Sequence, residues 1–212
     1  MADLELRNKI LKGAEELFLR YGMRSVSMDD IARHLGISKK TIYMAFADKD
    51  EIVFEVTRGH LERQEAEYKA ITDGSKDSID ELVQFSICLK KNFTNMNPSL
   101  MFDLHKYHRE AWDEWISYKQ KSIRKSIADM IRRGITEGYM RAEIDPEIIA
   151  IFRIEQVEMV FDEQVFPHDK YNFTEVQMQL FDHFVHGLLT DKGKKHLQKN
   201  KLNNPQLSTS TI

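Results

Sequence analysis

Residues 27–46, SMDDIARHLGISKKTIYMAF, read as two short helices joined by a glycine turn. Ser27 is an N-cap, and Asp29 and Asp30 place negative charge in the first turn, where the helix dipole favours it. Met28, Ile31, Ala32 and Leu35 recur at i, i+3, i+4 and i+7, the spacing of one buried helical face. Gly36 stands where a helix ends in a left-handed residue. Ser38 caps a second helix whose buried stripe is Ile42 and Phe46, and its other faces carry Lys39, Lys40, Thr41, Tyr43 and Met44. Helix, turn, helix is the arrangement that offers a second helix to the major groove of DNA. Between Ile31 and Ala47 the basic residues Arg33, Lys39 and Lys40 stand without an acidic one, in a chain of net charge -3. The helix dipole disfavours lysine at a helix N-terminus unless an anion is present, which favours a phosphate-binding face over a plain helical hairpin.

The wider stretch 10–53 carries Ala14, Leu17, Phe18 and Gly22 on a first helix, then Ile31-Ala32 and Gly36-Ile37-Ser38. Thr41, Tyr43 and Phe46 follow, and Lys49 opens the next helix. In this order and spacing the stretch resembles the N-terminal domain of the tetracycline-repressor-like (TetR) family of bacterial transcriptional regulators. The resemblance covers about the first quarter of the chain. It implies a repressor that binds a near-palindromic operator as a homodimer and is released by a small molecule. It also implies that the first helix steers its N-terminus toward the DNA backbone. Lys39, Lys40 and Tyr43 would contact phosphates or base edges, with Ser38, Thr41 and Met44 at the groove and Lys49 anchoring the backbone. Ser27 and Arg24 would clamp phosphates from the other side. The sequence departs from the family pattern after the tyrosine: Met44 and Ala45 replace the usual aromatic or imidazole groups.

Composition sets the frame. Four prolines, nine glycines and few alternating β-branched runs favour an all-helical fold. The single cysteine, Cys88, excludes an intramolecular disulfide framework and points to a reducing cytoplasm. No apolar run approaches the length that spans a bilayer, and the N-terminus has no signal-peptide hydrophobic segment, so no membrane partner is expected. A net charge near zero leaves room for a local positive patch.

The expected organisation is a helix-turn-helix domain over 1–47, a helical effector-binding and dimerisation domain over 48–192, and a disordered lysine-rich tail over 193–212. A long fourth helix, capped by Asp48, runs to about Ala70 and connects the two domains. Helices follow over 77–93 and around Leu100–Leu104, then one long helix over 108–137. A further helix begins at Asp145-Pro146 and runs to about Val165, and the last one covers 173–190. Cys88 sits in an apolar stretch and reads as a core residue.

The last two helices carry more apolar surface than one bundle needs. Phe152, Val160, Phe161, Phe173, Leu180, Phe181, Phe184 and Leu188 are the expected dimer interface, and the resemblance implies the same pairing. Aromatic and methionine side chains around Pro98 suggest an adaptable pocket. Phe85, Met101, Phe102, His105, Trp112 and Gln156 are its candidate contacts, in the region where the resemblance implies an effector site. The pairs His105/His108 and His183/His186 lack a third and fourth ligand at metal-site spacing, so no metal or cofactor is expected. No phosphate loop, nucleophile elbow or paired-carboxylate motif marks an enzyme. The alternative is a helical-bundle ligand-binding protein or enzyme whose N-terminal hairpin is only structural.

Overall fold

The computed structural model describes residues 2–94 and 96–203. Among the described residues it is helical, with turns and one isolated antiparallel bridge between Met140 and Leu189. The helices are α1 (Ala2–Tyr21), α2 (Met28–Leu35), α3 (Lys39–Ala45), α4 (Lys49–Gly74), α5 (Ser78–Thr94), α6 (Leu100–Tyr107) and α7 (Arg109–Tyr118). A π-helical segment, Lys119–Ile123, leads into α8 (Arg124–Thr136), α9 (Pro146–Met159), α10 (Phe173–Leu188) and α11 (Asp191–Asn203). Two compact units divide the chain: Met1–Gln64 with Asn95–Tyr118, and Glu65–Thr94 with Lys119–Ile212. The division expected after residue 47 therefore does not coincide with the observed one.

The core of the first unit is built by residues spaced four apart on α1, Ile10, Ala14 and Phe18, meeting Ile31, Ile42, Phe46, Ile52 and Val53. Each of these is at most 1% exposed, and burial of each large one contributes about 1.5–3 kcal/mol. Gly13 lets α1 approach α2, because a Cβ there would lie 2.6 Å from the Leu35 side chain. Gly22 ends α1 with φ +81°, and a Cβ there would meet Ser99 Oγ at 2.7 Å. Just beyond it, the Asn97 N–H donates to the Leu19 carbonyl (2.9 Å) and the Arg24 N–H to buried Asp103 (2.9 Å), so the α6 region seats the turn that precedes α2.

The second unit closes around Ile79, Leu82 and Val83 of α5, Ile131 of α8, Met140, Phe181, Val185 and Leu188 of α10, and Leu197 of α11. Cys88 is buried as expected, and burial pushes its thiol up to about 11. Three expectations fail in this half of the chain. The single helix expected over 108–137 is interrupted by the π-helical turn at 119–123. No side chain of that turn is buried, so packing does not enforce the α repeat there. The helix expected to reach Val165 ends at Met159, because the backbone tightens at Phe161 and Asp162 and the Asp162 carboxylate takes the Gln164 N–H (2.9 Å). The tail expected to be disordered from 193 is helical through 203. Leu197 is 2% exposed, and His196 stacks on Tyr139 with centroids 4.7 Å apart and meets Asp77 at 2.8 Å. Residues 204–212 of that expected tail lie outside the described residues.

Candidate nucleic-acid interface

Local chemistry accounts for the shape of α2 and α3. Ser27 Oγ accepts the Asp30 N–H (3.2 Å) while the Asp30 carboxylate accepts the Ser27 N–H (3.0 Å), a reciprocal capping box. The hydrogen bonds from Ser27 hold the Asp30 carboxyl below its usual range. Gly36 is left-handed (φ 64°, ψ 32°). With Ile37 N–H on Ala32 O (3.0 Å) and Gly36 N–H on Arg33 O (3.3 Å) it closes α2 in a Schellman arrangement. Ser38 Oγ then accepts the Thr41 N–H (3.0 Å) and opens α3.

This geometry divides α3 cleanly. Ile42, Ala45 and the following Phe46 face the core, whereas Lys39 and Lys40 are exposed and Tyr43 and Met44 are 48% and 77% exposed. Lys39, Lys40, Tyr43 and Met44 fall at i, i+1, i+4 and i+5, one helical face. The structure thus brings together Ser38, Lys39, Lys40, Thr41, Tyr43 and Met44. Lys39 Nζ is 2.8 Å from Asp29 Oδ2, and that hydrogen bond raises its pKa. Among the described residues Lys40 has no such carboxylate partner.

The other candidates sit differently. The Ser27 hydroxyl is engaged with Asp30 (2.6 Å). Arg24 is exposed, its guanidinium 5.5 Å from the Tyr107 ring centre. Lys49 turns inward: its Nζ donates to the Met23 carbonyl (2.5 Å), and burial lowers its pKa against the opposing pull of Asp103 and Asp50. It is a strut between the α4 start and the loop before α2. Sequence reasoning missed Arg7 of α1. Its guanidinium donates to the Ala45 carbonyl and to Glu51 Oε1 (3.1 Å), and Glu51 Oε2 accepts the Ala47 N–H (2.7 Å). Arg7 therefore braces the C-terminal end of α3, where a cation also complements the helix dipole.

Of the candidate pocket residues, Met101, Phe102, His105 and Trp112 belong to the first unit and Phe85 and Gln156 to the second. His105 and Trp112 have ring centroids 4.6 Å apart, and Phe102 is 53% exposed. Phe85 packs edge-on against Tyr68 at 5.2 Å, and Gln156 is buried on α9. Of the candidate dimer residues, Val160, Phe173, Phe181, Phe184 and Leu188 are buried within this chain's own second unit, and Phe161 and Leu180 are half-buried. Phe152 is exposed, on α9 beside exposed Ile148 and Ile151. His108 is buried with Nδ1 2.7 Å from Asp50, and among the described residues no group of three or more His, Cys, Asp or Glu side chains is placed to hold a metal ion. No helix of the described residues is long and apolar enough to cross a membrane.

Comparison with known proteins agrees with this geometry. Residues 10–56 match the family of bacterial regulatory proteins described as tetR. The HTH-type transcriptional repressor KstR2 of Mycobacterium tuberculosis is 28% identical over 149 residues, covering 69% of this chain and 74% of that protein. Among solved structures, a TetR-family transcriptional regulator from Agrobacterium tumefaciens superposes with TM-score 0.75 at 15% identity, covering 89% of this chain and 100% of the other. A transcriptional regulator from Saccharomonospora viridis in complex with choline superposes with TM-score 0.70 at 20% identity, covering 88% and 98%. At these identities the two structural likenesses speak to the fold alone.

Proposed function

We propose that the chain is a DNA-binding transcriptional regulator of the TetR family, acting as a homodimeric repressor released from a palindromic operator by a small molecule; the match of residues 10–56 to that family and the likeness to KstR2 support it. The observation that carries the reading is the outward face of α3. Large side chains, Tyr43 and Met44, stand exposed beside Lys39 and Lys40, while Ile42 and Phe46 bury the opposite side. Lysines supply phosphate attraction, Tyr43 a hydrogen-bonding ring, and Met44 an apolar contact suited to a thymine methyl. Ser38 and Thr41 lie at the same helix start.

Two such helices in one dimer would enter successive major grooves about 34–36 Å apart. The exposed Ile148, Ile151 and Phe152 of α9 support a second copy of this chain as the partner. Effector binding in the body would favour a conformation with weaker operator affinity, typically with about 1–3 kcal/mol of coupling. The cytoplasm is the compartment such a regulator needs, and no turnover is assigned to it.

Selection from random duplex DNA, followed by anisotropy titration of the enriched sequence, tests the reading. A palindrome bound by two chains, and lost in Lys40→Ala with Tyr43→Ala, is the expected result. Absence of any enriched sequence would remove the operator from the account.

A further inference from the structure

Arg153 of α9 is a cation sealed into the second unit. It is 4% exposed, and among the described residues its Nη1 and Nη2 find no hydrogen-bond acceptor in good geometry. Its guanidinium carbon lies 5.0 and 5.6 Å from the ring centres of Phe181 and Phe184 on α10. Such rings stabilise the charge through their faces but accept none of the in-plane N–H groups. Burial pushes its pKa down to about 10, with Tyr68 acting in the opposite direction.

Three further buried side-chain oxygens on the same pair of helices accept no hydrogen bond from the described residues, Glu158 Oε1 of α9 among them. Gln156 Oε1 stands one turn along α9 from Arg153, and Gln177 Oε1 stands one turn along α10 from Phe181. Gln177 is fixed in place by its Nε2, which donates to the Val157 carbonyl (2.9 Å). By contrast Glu81 of this unit, 2% exposed, has the oppositely charged Arg133 beside it and accepts from Thr72. Among the described residues Arg153 has no such carboxylate beside it. A desolvated guanidinium without an acceptor is strongly unfavourable, and its planar fork matches the two oxygens of a carboxylate.

We propose that Arg153 is the anchor for a carboxylate-bearing effector, whose apolar body packs against Phe181 and Phe184 and whose remaining polar groups meet Gln156 and Gln177. The proposal deepens the regulator reading, and rests on it only for the consequence of binding. Carboxylate recognition by Arg153 stands or falls separately.

The test uses the full chain and a defined set of probes: straight-chain carboxylates from hexanoate to palmitate and phenylacetate, each against its neutral amide, by titration calorimetry. The expected result is at least one carboxylate bound about 100-fold more tightly than its amide. Arg153→Met is expected to abolish that preference while melting no lower than the parent chain, since it replaces an unpaired buried cation with an apolar side chain of similar length. Arg153→Lys is expected to keep part of the preference, because it retains charge without the fork.

Carboxylates and amides that bind alike, or not at all, would overturn the proposal. So would a preference unchanged in Arg153→Met, or an Arg153→Met chain that melts well below the parent, which would make the arginine a structural brace between the two rings. Operator binding of the same proteins separates the two readings. Intact operator binding without carboxylate preference removes only the anchor, and carboxylate preference without any operator removes only the regulator.

Discussion

Arg7 holds its guanidinium 4.1 Å from the centre of the Phe46 ring, joining the first helix to the residue that ends the third. The same side chain donates to the Ala45 carbonyl, one of the orphan acceptors at the α3 terminus. A helix of seven residues is far too short to hold itself in water, so this brace helps fix the proposed DNA-reading face from its inner side. Arg7→Ala should destabilise the protein by about 1–2 kcal/mol, the sum of a terminal cation and a ring contact. Arg7→Lys should recover less than half, lacking the fork. Urea denaturation followed by circular dichroism checks this, and an unchanged midpoint in Arg7→Ala would remove the brace from the account.

If Lys39 meets a phosphate as proposed, Asp29 competes with DNA for it. Their 2.8 Å pair is exposed on both sides, so a phosphate can displace it. Asp29→Asn should tighten DNA binding several-fold at about 50 mM salt, with the gain shrinking toward about 200 mM. Lys40→Ala should weaken binding and lower the slope of log K against log salt by about one. Anisotropy titrations across that range measure both, and a salt slope untouched by Lys40→Ala would place that side chain off the backbone.

Gly36 is required by its backbone and not by crowding, since a Cβ there would meet nothing within 4 Å while φ is +64°. Gly36→Ala should therefore cost about 1–2 kcal/mol through the left-handed conformation alone. For a chain of this size each kcal/mol lowers the melting temperature by about 2–4 °C. Gly36→Asn should fall between the two. A melting temperature equal to the parent's in Gly36→Ala would show that the turn relaxes.

The contact between α11 and the α5 start has a pH signature. Burial raises the Asp77 pKa, but the Asp80 N–H, His196 and the Ile79 N–H outweigh it, leaving the carboxyl below its usual 3.8. A carboxylate depressed in the folded state stabilises above its unfolded value and loses that contribution as pH falls through its folded value. Stability should therefore drop on acidification below about pH 4, and Asp77→Asn should flatten that part of the curve. Thermal melts from neutral to about pH 3 measure the difference, and parallel curves for the two proteins would contradict it.

What was legible in the chain and what was not divide by the range of the interaction. Ser27, Gly36 and Ser38 act on residues within five positions of themselves, so caps and turn could be read from the letters. The α3 stripe followed from helical spacing alone. Arg7 acts across 38 residues on Ala45, and nothing near either residue announces it. The resemblance implies that Lys49 anchors the DNA backbone, yet a carbonyl 26 positions earlier holds it inward. The α11 helix was hidden by its lysines: His196 and Leu197 make its inner contacts, and Gly193 is needed where a Cβ would run into the Tyr139 carbonyl. The dimer candidates were chosen for apolarity, which does not distinguish a unit's own core from a surface awaiting a partner. Arg153 was passed over because a lone arginine on a helix is ordinarily solvated.

The division of α3 has an evolutionary consequence. Ile42, Ala45, Phe46 and the distant Arg7 fix where the helix lies, whereas Lys40, Tyr43 and Met44 have no part in the packing that places it. Substitutions at those outward positions are nearly neutral for folding. A duplicated gene could drift there without losing its fold, and a new recognition specificity would be reachable one residue at a time.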